Sequence, residues 1–262
     1  MIDAQGLPDA RGIDLPDVGI RGLRHQALTG DAADQQVVVA ELALGVRVPA
    51  GAKGTHMSRL VEIVQEHSDD LTVPRLPIVL KRLLAHLDSD SGRVEVRFPL
   101  VLPQTSPVSR RPGSSVHDAI LCAWQENDIL ALSARVHVVA TSLCPCSKLI
   151  SDYGAHNQRS RIEVTVTTLG EDAASRAPWL RDMVHWAEAS ASCPTYPLLK
   201  RPDERAVTMQ AYDKPAFVED IARDVVVALA VVEGPGYYSV DVVNEESIHR
   251  HDAYARVEGR LY

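Results

Sequence analysis

The densest group of chemistry-bearing side chains is TSLCPCSKLISDYGAHNQRS, Thr141 to Ser160. Cys144 and Cys146 flank a single proline, and His156 follows twelve residues after Cys144. A thiolate and an imidazole make a donor set suited to Zn²⁺ or a similar transition ion. The same residues also suit two small buried thiols beside a loop histidine, and the spacing leaves both readings open, because C-x-C is a weaker metal signature than paired C-x-x-C motifs. His249 and His251 alternate in an extended stretch, so their rings share a face. Near a metal one of them serves as ligand or proton donor; alone, H-x-H is a surface feature. In LLKRPDERAVT, Lys200, Arg201, Asp203, Glu204 and Arg205 read either as a solvated turn or as a carboxylate ligand beside phosphate-binding cations.

KGTHMSR places Lys53, His56, Ser58 and Arg59 around an expected helix start, where backbone N–H groups and the helix dipole favour phosphate. It lacks the P-loop pattern, so it is not a Walker site. Its other reading is a capped helix start with solvated charges. Glu219, in FVED, sits in an expected first helical turn. An acid there is ordinarily a dipole-favoured surface residue. A carboxylate can also accept two hydrogen bonds from an amidine-like edge such as the N1–H and 2-amino group of guanine.

These residues need a scaffold, and hydrophobic periodicity supplies an outline. Val18–Leu23 reads as a short strand and residues 36–48 as a second, with Leu42, Leu44, Val46 and Val48 on one face. Met57, Leu60, Val61 and Val64 mark one face of a helix, and Pro77–His86 marks another helix. Strand patterns follow at Val94–Leu102, Val116–Trp124, Ile129–Ala140 and Arg161–Thr168. Helices are expected over Trp179–Glu188 and from Pro215 to about Val232, then strands at Tyr237–Val243 and Tyr254–Val257. Each half reads approximately as strand-strand-helix-helix-strand-strand, an α+β class with helices on one face of antiparallel sheets. The expected division is a flexible lead-in over 1–17, a first module over 18–126 and a second over 127–262.

Composition bounds the partners. The 262 residues carry 27 Lys+Arg against 35 Asp+Glu, a net charge of −8, with no local basic stretch to offset it. That argues against nucleic acid and requires any phosphate site to be built from a local cluster. No apolar run approaches a membrane span, and the acidic N-terminus does not read as a signal peptide, so the cytoplasm is expected. Four cysteines in a chain of this length are not a disulfide framework.

Taken in order, LPDVGIRGLRH, KGTHMSRLVEI, TSLCPCSK, GAHNQRS, LLKRPDE, AYDKPAFVED and ESIHRHDAYA resemble the type IB GTP cyclohydrolase I family over nearly the whole chain. The resemblance implies two tunnelling-fold modules and conversion of GTP and water to 7,8-dihydroneopterin triphosphate and formate, the first step towards tetrahydrofolate-type pterins. It implies Cys144 as the catalytic metal-site cysteine, His156 and Glu204 as further ligands, and one divalent Zn, Mn or Fe ion per site. It also implies Glu219 as the purine anchor and His249 as a proton donor or further ligand. The helix start near Arg59 resembles the triphosphate-binding segment of related cyclohydrolases, and Cys146 is not matched. A homo-oligomer, a tetramer with active sites between subunits, is expected. Met209 departs from the polar or acidic residue expected there. The alternatives are a tunnelling-fold nitrile oxidoreductase acting on a deazapurine and a non-catalytic pterin- or nucleotide-binding protein.

Overall fold

The computed structural model describes residues 5, 7–32 and 34–261. The first half of the chain runs β1 (Leu15–Gly30), β2 (Gln36–Val48), α1 (Met57–His67), β3 (Leu71–Thr72), α2 (Leu76–Leu87), β4 (Gly92–Thr105) and β5 (Pro112–Glu126). The second half runs β6 (Ile129–Leu143), α3 (Pro145–Ile150), β7 (Asn157–Leu169), α4 (Ala173–Arg176) and α5 (Leu180–Ser190). It continues with β8 (Cys193–Pro194), α6 (Arg201–Asp213), α7 (Val218–Leu229), β9 (Gly236–Glu245) and β10 (Ala253–Arg260). The α+β class is therefore present, and the first half keeps the strand-strand-helix-helix-strand-strand order with only β3 inserted, but the second half carries a third long helix, α6, between α5 and α7, besides the short α3, α4 and β8.

Contacts group the chain into two compact units. The first comprises 1–99, 120–134 and 167–177; the second comprises 100–119, 135–166 and 178–262. The turn between β5 and β6, where the two modules of the sequence reading meet, is a two-residue hairpin. Asn127 and Asp128 both take positive φ, 50° and 62°, as a type I′ turn requires. Of the lead-in expected over 1–17, residues 1–4 and 6 lie outside the described residues. Pro8 bridges Ala52, the Asp9 N–H donates to the Gly51 carbonyl, and β1 has begun by Leu15.

In the first unit β2 pairs antiparallel with β1 and with β4, and β3 adds parallel to β1. β1 is much longer than the Val18–Leu23 expected, because a register shift between Ile20 and Leu23 absorbs the polar RGL stretch. Gly22, with φ 73°, supplies the conformation that shift needs. α1 buries Leu60, Ile63 and Val64, whereas Met57 is exposed, which moves the apolar stripe from the one expected. α2 buries Leu76, Val79, Leu80, Leu83 and Leu84 and ends at Asp88 in the left-handed region.

In the second unit β10 pairs with β9, the hydrogen-bonded order continues β9-β7-β6, and β8 pairs with β6. α7 packs on α5, β9 and β10 through Val218, Ile221, Ala222, Val225 and Leu229. It starts later than Pro215 because Asp220 accepts the Phe217 N–H at 3.1 Å and so fixes the first turn. Cys193 is buried on β8, and burial, followed by the Glu188 charge, pushes its thiol up to about 11.

The RPDE stretch is not a turn but the first turn of α6, a helix with only Asp203 and Ala211 buried. So small an apolar face leaves no periodic signal in the sequence. Asp203 is fully buried and organises two segments. It accepts the Lys200 N–H at 2.8 Å, which caps α6, and the Val108 and Ser109 N–H groups, both at 2.8 Å. It also accepts the Ser109 hydroxyl at 2.6 Å. Burial alone would raise this carboxyl, but the four bonds outweigh it and hold Asp203 well below the usual carboxylate range.

Two outcomes follow. Ile221→Ala, at a fully buried site on α7, is expected to lower unfolding free energy by about 2–5 kcal/mol, read by urea denaturation. Because the folded Asp203 carboxyl is depressed, its contribution is complete above the unfolded value of about 3.9 and is lost as pH falls through the folded value. The melting temperature of Asp203→Asn should therefore lie below wild type at pH 6, with the gap closing as pH falls below about 4. A gap independent of pH would show that the charge plays no part.

Candidate active site

Between β6 and β7 the chain leaves the strands at Cys144 and returns after His156. Its two ends are tied together, since the Cys144 N–H donates to the His156 carbonyl at 3.1 Å. Ser147 reinforces the closure: its hydroxyl donates to the Cys144 carbonyl at 3.1 Å and accepts the His156 N–H at 3.2 Å. Cys144 is the residue before α3, and its Sγ accepts the Ser147 N–H at 3.4 Å. Cys146 lies inside α3 and is exposed. The two cysteines of one motif thus have different settings, and Cys144 is the one beside the histidine.

His156 leads into a polar strip on the buried face of β7. Gln158 and Ser160 point inward with Ile162 and Val164, as period-two alternation dictates. His156 Nδ1 lies 3.0 Å from Gln158 Oε1, and Gln158 Nε2 donates to Ser142 Oγ at 2.9 Å. Ser142 and Ser160 hydroxyls are 2.8 Å apart, and Ser160 donates to Asn244 Oδ1 at 2.6 Å. Ser142, Gln158, Ser160 and Asn244 are all buried. Left unpaired, each would cost about 1–3 kcal/mol. The sequence reading treated Gln158 and Ser160 as loop residues and missed both. The available signal was strand alternation extended four residues earlier, from Arg161 to Asn157.

The turn between β9 and β10 reaches the same histidine, with Ser247 Oγ 3.3 Å from His156 Nδ1. Two residues on, His249 stacks on His251, rings 5.1 Å apart and 16° from parallel, both exposed. Glu219 stands exposed in the first turn of α7. Its neighbour Asp220 does the capping and faces Arg223 at 3.5 Å. Among the described residues the Glu219 carboxylate has no hydrogen-bond or ion-pair partner, so capping does not account for it.

Glu204 is not brought to Cys144 and His156. Its exposed carboxylate lies 3.5 Å from Arg201. α6 meets α3 at its other end, where Lys148 Nζ sits 4.2 Å from the Tyr212 ring centre and donates to the Tyr212 carbonyl. Eight residues of α-helix separate Tyr212 from Glu204, about 12 Å along the axis. Among the described residues no group of three His, Cys, Asp or Glu side chains is placed to hold a metal ion. The proposed donor set therefore does not fit a metal as one chain is arranged here. Met209 is exposed on α6.

Lys53, His56, Ser58 and Arg59 belong to the first unit, at the start of α1. The His56 side chain does not cap the helix, and Lys53, Ser58 and Arg59 are exposed. The Arg59 N–H is already taken by the His56 carbonyl at 3.1 Å.

Comparison with known proteins shows the family. Residues 1–255 match the family described as type I GTP cyclohydrolase folE2. The chain is 41% identical to "GTP cyclohydrolase FolE2" of Nitrosomonas eutropha over 258 residues, 98% of this chain and 94% of that protein. It is 42% identical to the protein of the same name from Methylobacillus flagellatus over 257 residues, again 98% and 94% of the two chains. Among solved structures it aligns with uricase from Arthrobacter globiformis at 10% identity and a TM-score of 0.47, covering 94% of this chain and 92% of that one. With the family matched almost end to end and two relatives above 40% identity, the chain belongs to the type I GTP cyclohydrolase FolE2 family.

Proposed function

We propose that this chain is a cytoplasmic GTP cyclohydrolase that converts GTP and water to 7,8-dihydroneopterin triphosphate and formate, the entry to tetrahydrofolate-type pterins. The observation that carries this reading is the family match over residues 1–255. No helix among the described residues is long and apolar enough to cross a membrane. The relatives named above are called GTP cyclohydrolases.

The chain's own residues take these roles. Glu219 accepts hydrogen bonds from the guanine N1–H and 2-amino group, contacts that adenine cannot supply. Its lack of a partner among the described residues supports this role. The start of α1, with Lys53, His56, Ser58 and Arg59, offers positive charge and the helix dipole to the triphosphate. His249 moves a proton to or from the leaving nitrogen, work suited to an imidazole near neutral pH. A Zn, Mn or Fe ion is the class that Cys144, His156 and Glu204 would suit by donor chemistry. The adjoining backbones of Cys144 and His156 support two of these donors, and the third rests on the family resemblance alone. A homotetramer with active sites between subunits belongs to the same proposal.

Purified protein incubated with GTP should yield oxidised neopterin fluorescence and one formate per turnover; protein folded but inactive with every metal tried would refute the assignment. Cys144→Ala should lose most bound metal and nearly all turnover, while Cys146→Ala keeps both. Metal analysis of Glu204→Gln decides the third donor: a ligand is lost with its metal, whereas retained metal puts Glu204 outside the set. Glu219→Gln should keep its metal content but lose GTP turnover by about 2–3 kcal/mol of transition-state binding or more, because its amide would turn a donor toward a donor.

A further inference from the structure

We propose that Gln158 is a positioning residue that holds the neutral His156 ring as its Nδ1–H tautomer and leaves Nε2 as the lone-pair atom. The inference deepens the reading of His156 as an active-site residue and rests on it. It begins at the far end of the polar strip. Ser160 Oγ donates to Asn244 Oδ1 at 2.6 Å and adjoins Ser142 Oγ at 2.8 Å. Ser142 Oγ accepts from Gln158 Nε2 at 2.9 Å. The Gln158 amide oxygen faces the other way, 3.0 Å from His156 Nδ1. An acceptor there binds a neutral imidazole only when Nδ1 carries the proton.

Ser247 Oγ, 3.3 Å from the same Nδ1, does not set the tautomer, because a hydroxyl donates or accepts equally well. The amide thus belongs to a buried polar chain that runs from Ser142 on β6 through Ser160 on β7 to Asn244 on the neighbouring β9.

The experiment is long-range ¹H–¹⁵N correlation spectroscopy on metal-free protein labelled with [¹⁵N]histidine, at a pH where the ring is neutral, with His156→Asn assigning the signal. Wild type should show a protonated Nδ1 and an unprotonated Nε2. Gln158→Met should shift His156 toward the Nε2–H form that free histidine favours in water. Gln158→Glu, whose carboxylate still accepts from Nδ1, should keep the wild-type pattern, and so should Ser247→Ala. Ser142→Ala, which removes the group that orients the amide, should give a mixture of tautomers. It serves as the test if Gln158→Met does not fold. In turnover assays with GTP, Gln158→Met should lose about 10–100-fold in kcat with KM little changed, and Gln158→Glu should recover most of it. An Nε2–H ring in wild type, or an unchanged Nδ1–H ring in folded Gln158→Met, would overturn the proposal. Wild type lacking GTP turnover while showing the expected tautomer would instead refute the cyclohydrolase reading and leave the positioning role standing.

Discussion

The hydrogen bond from the Cys144 N–H to the His156 carbonyl, 3.1 Å long, turns the excursion between β6 and β7 into a closed loop. With Ser147 bonded to both ends, the thiol and the imidazole inherit the rigidity of two strands although neither lies within one. Loops ordinarily carry function at the expense of order. Here the ends are fixed, so the residues between, including exposed Leu149, Ile150 and Tyr153, can vary in placement without moving the chemistry.

A second constraint lies beneath that loop. The inward face of β7 is apolar at Ile162, Val164 and Val166 but polar at Gln158 and Ser160. A sheet interior has no need of hydroxyls and amides for stability, and a network of them is tolerable only when every member is satisfied. The strip extends from β6 through β7 to β9, so the orientation of one side chain at the loop end is set by strands rather than by the loop.

The architecture was legible where burial is periodic. α2, α5, the β4–β5 hairpin and the inward residues of β7 all stand where alternation or a 3.6-residue stripe put them. α6 was not legible, because its only buried side chains are a carboxylate and an alanine. Nor was the length of β1, which depends on a glycine-assisted register shift that breaks alternation. At the site, residue types and motif order singled out Cys144, His156, Glu219 and His249 by resemblance, and their roles are those proposed above. They could not reveal Ser147, Gln158 or Asp203, whose roles lie in whom they bond. They also drew Glu204 into a set that one chain does not assemble, because adjacency in a motif says nothing about which end of a helix meets its neighbour.

The Asp203 anchor bears on how this sequence can drift. Three of its four bonds come from main-chain N–H groups, of Val108, Ser109 and Lys200. A main-chain donor is offered by every residue but proline. The side chains at 108 and 200 are thus free to diversify among descendants of this protein, while the carboxylate is not and Ser109 adds the fourth bond through its hydroxyl. Positions 108, 109 and 200 share a prohibition against proline. The tip of the β4–β5 hairpin can in this way change its surface chemistry over evolutionary time without changing its shape.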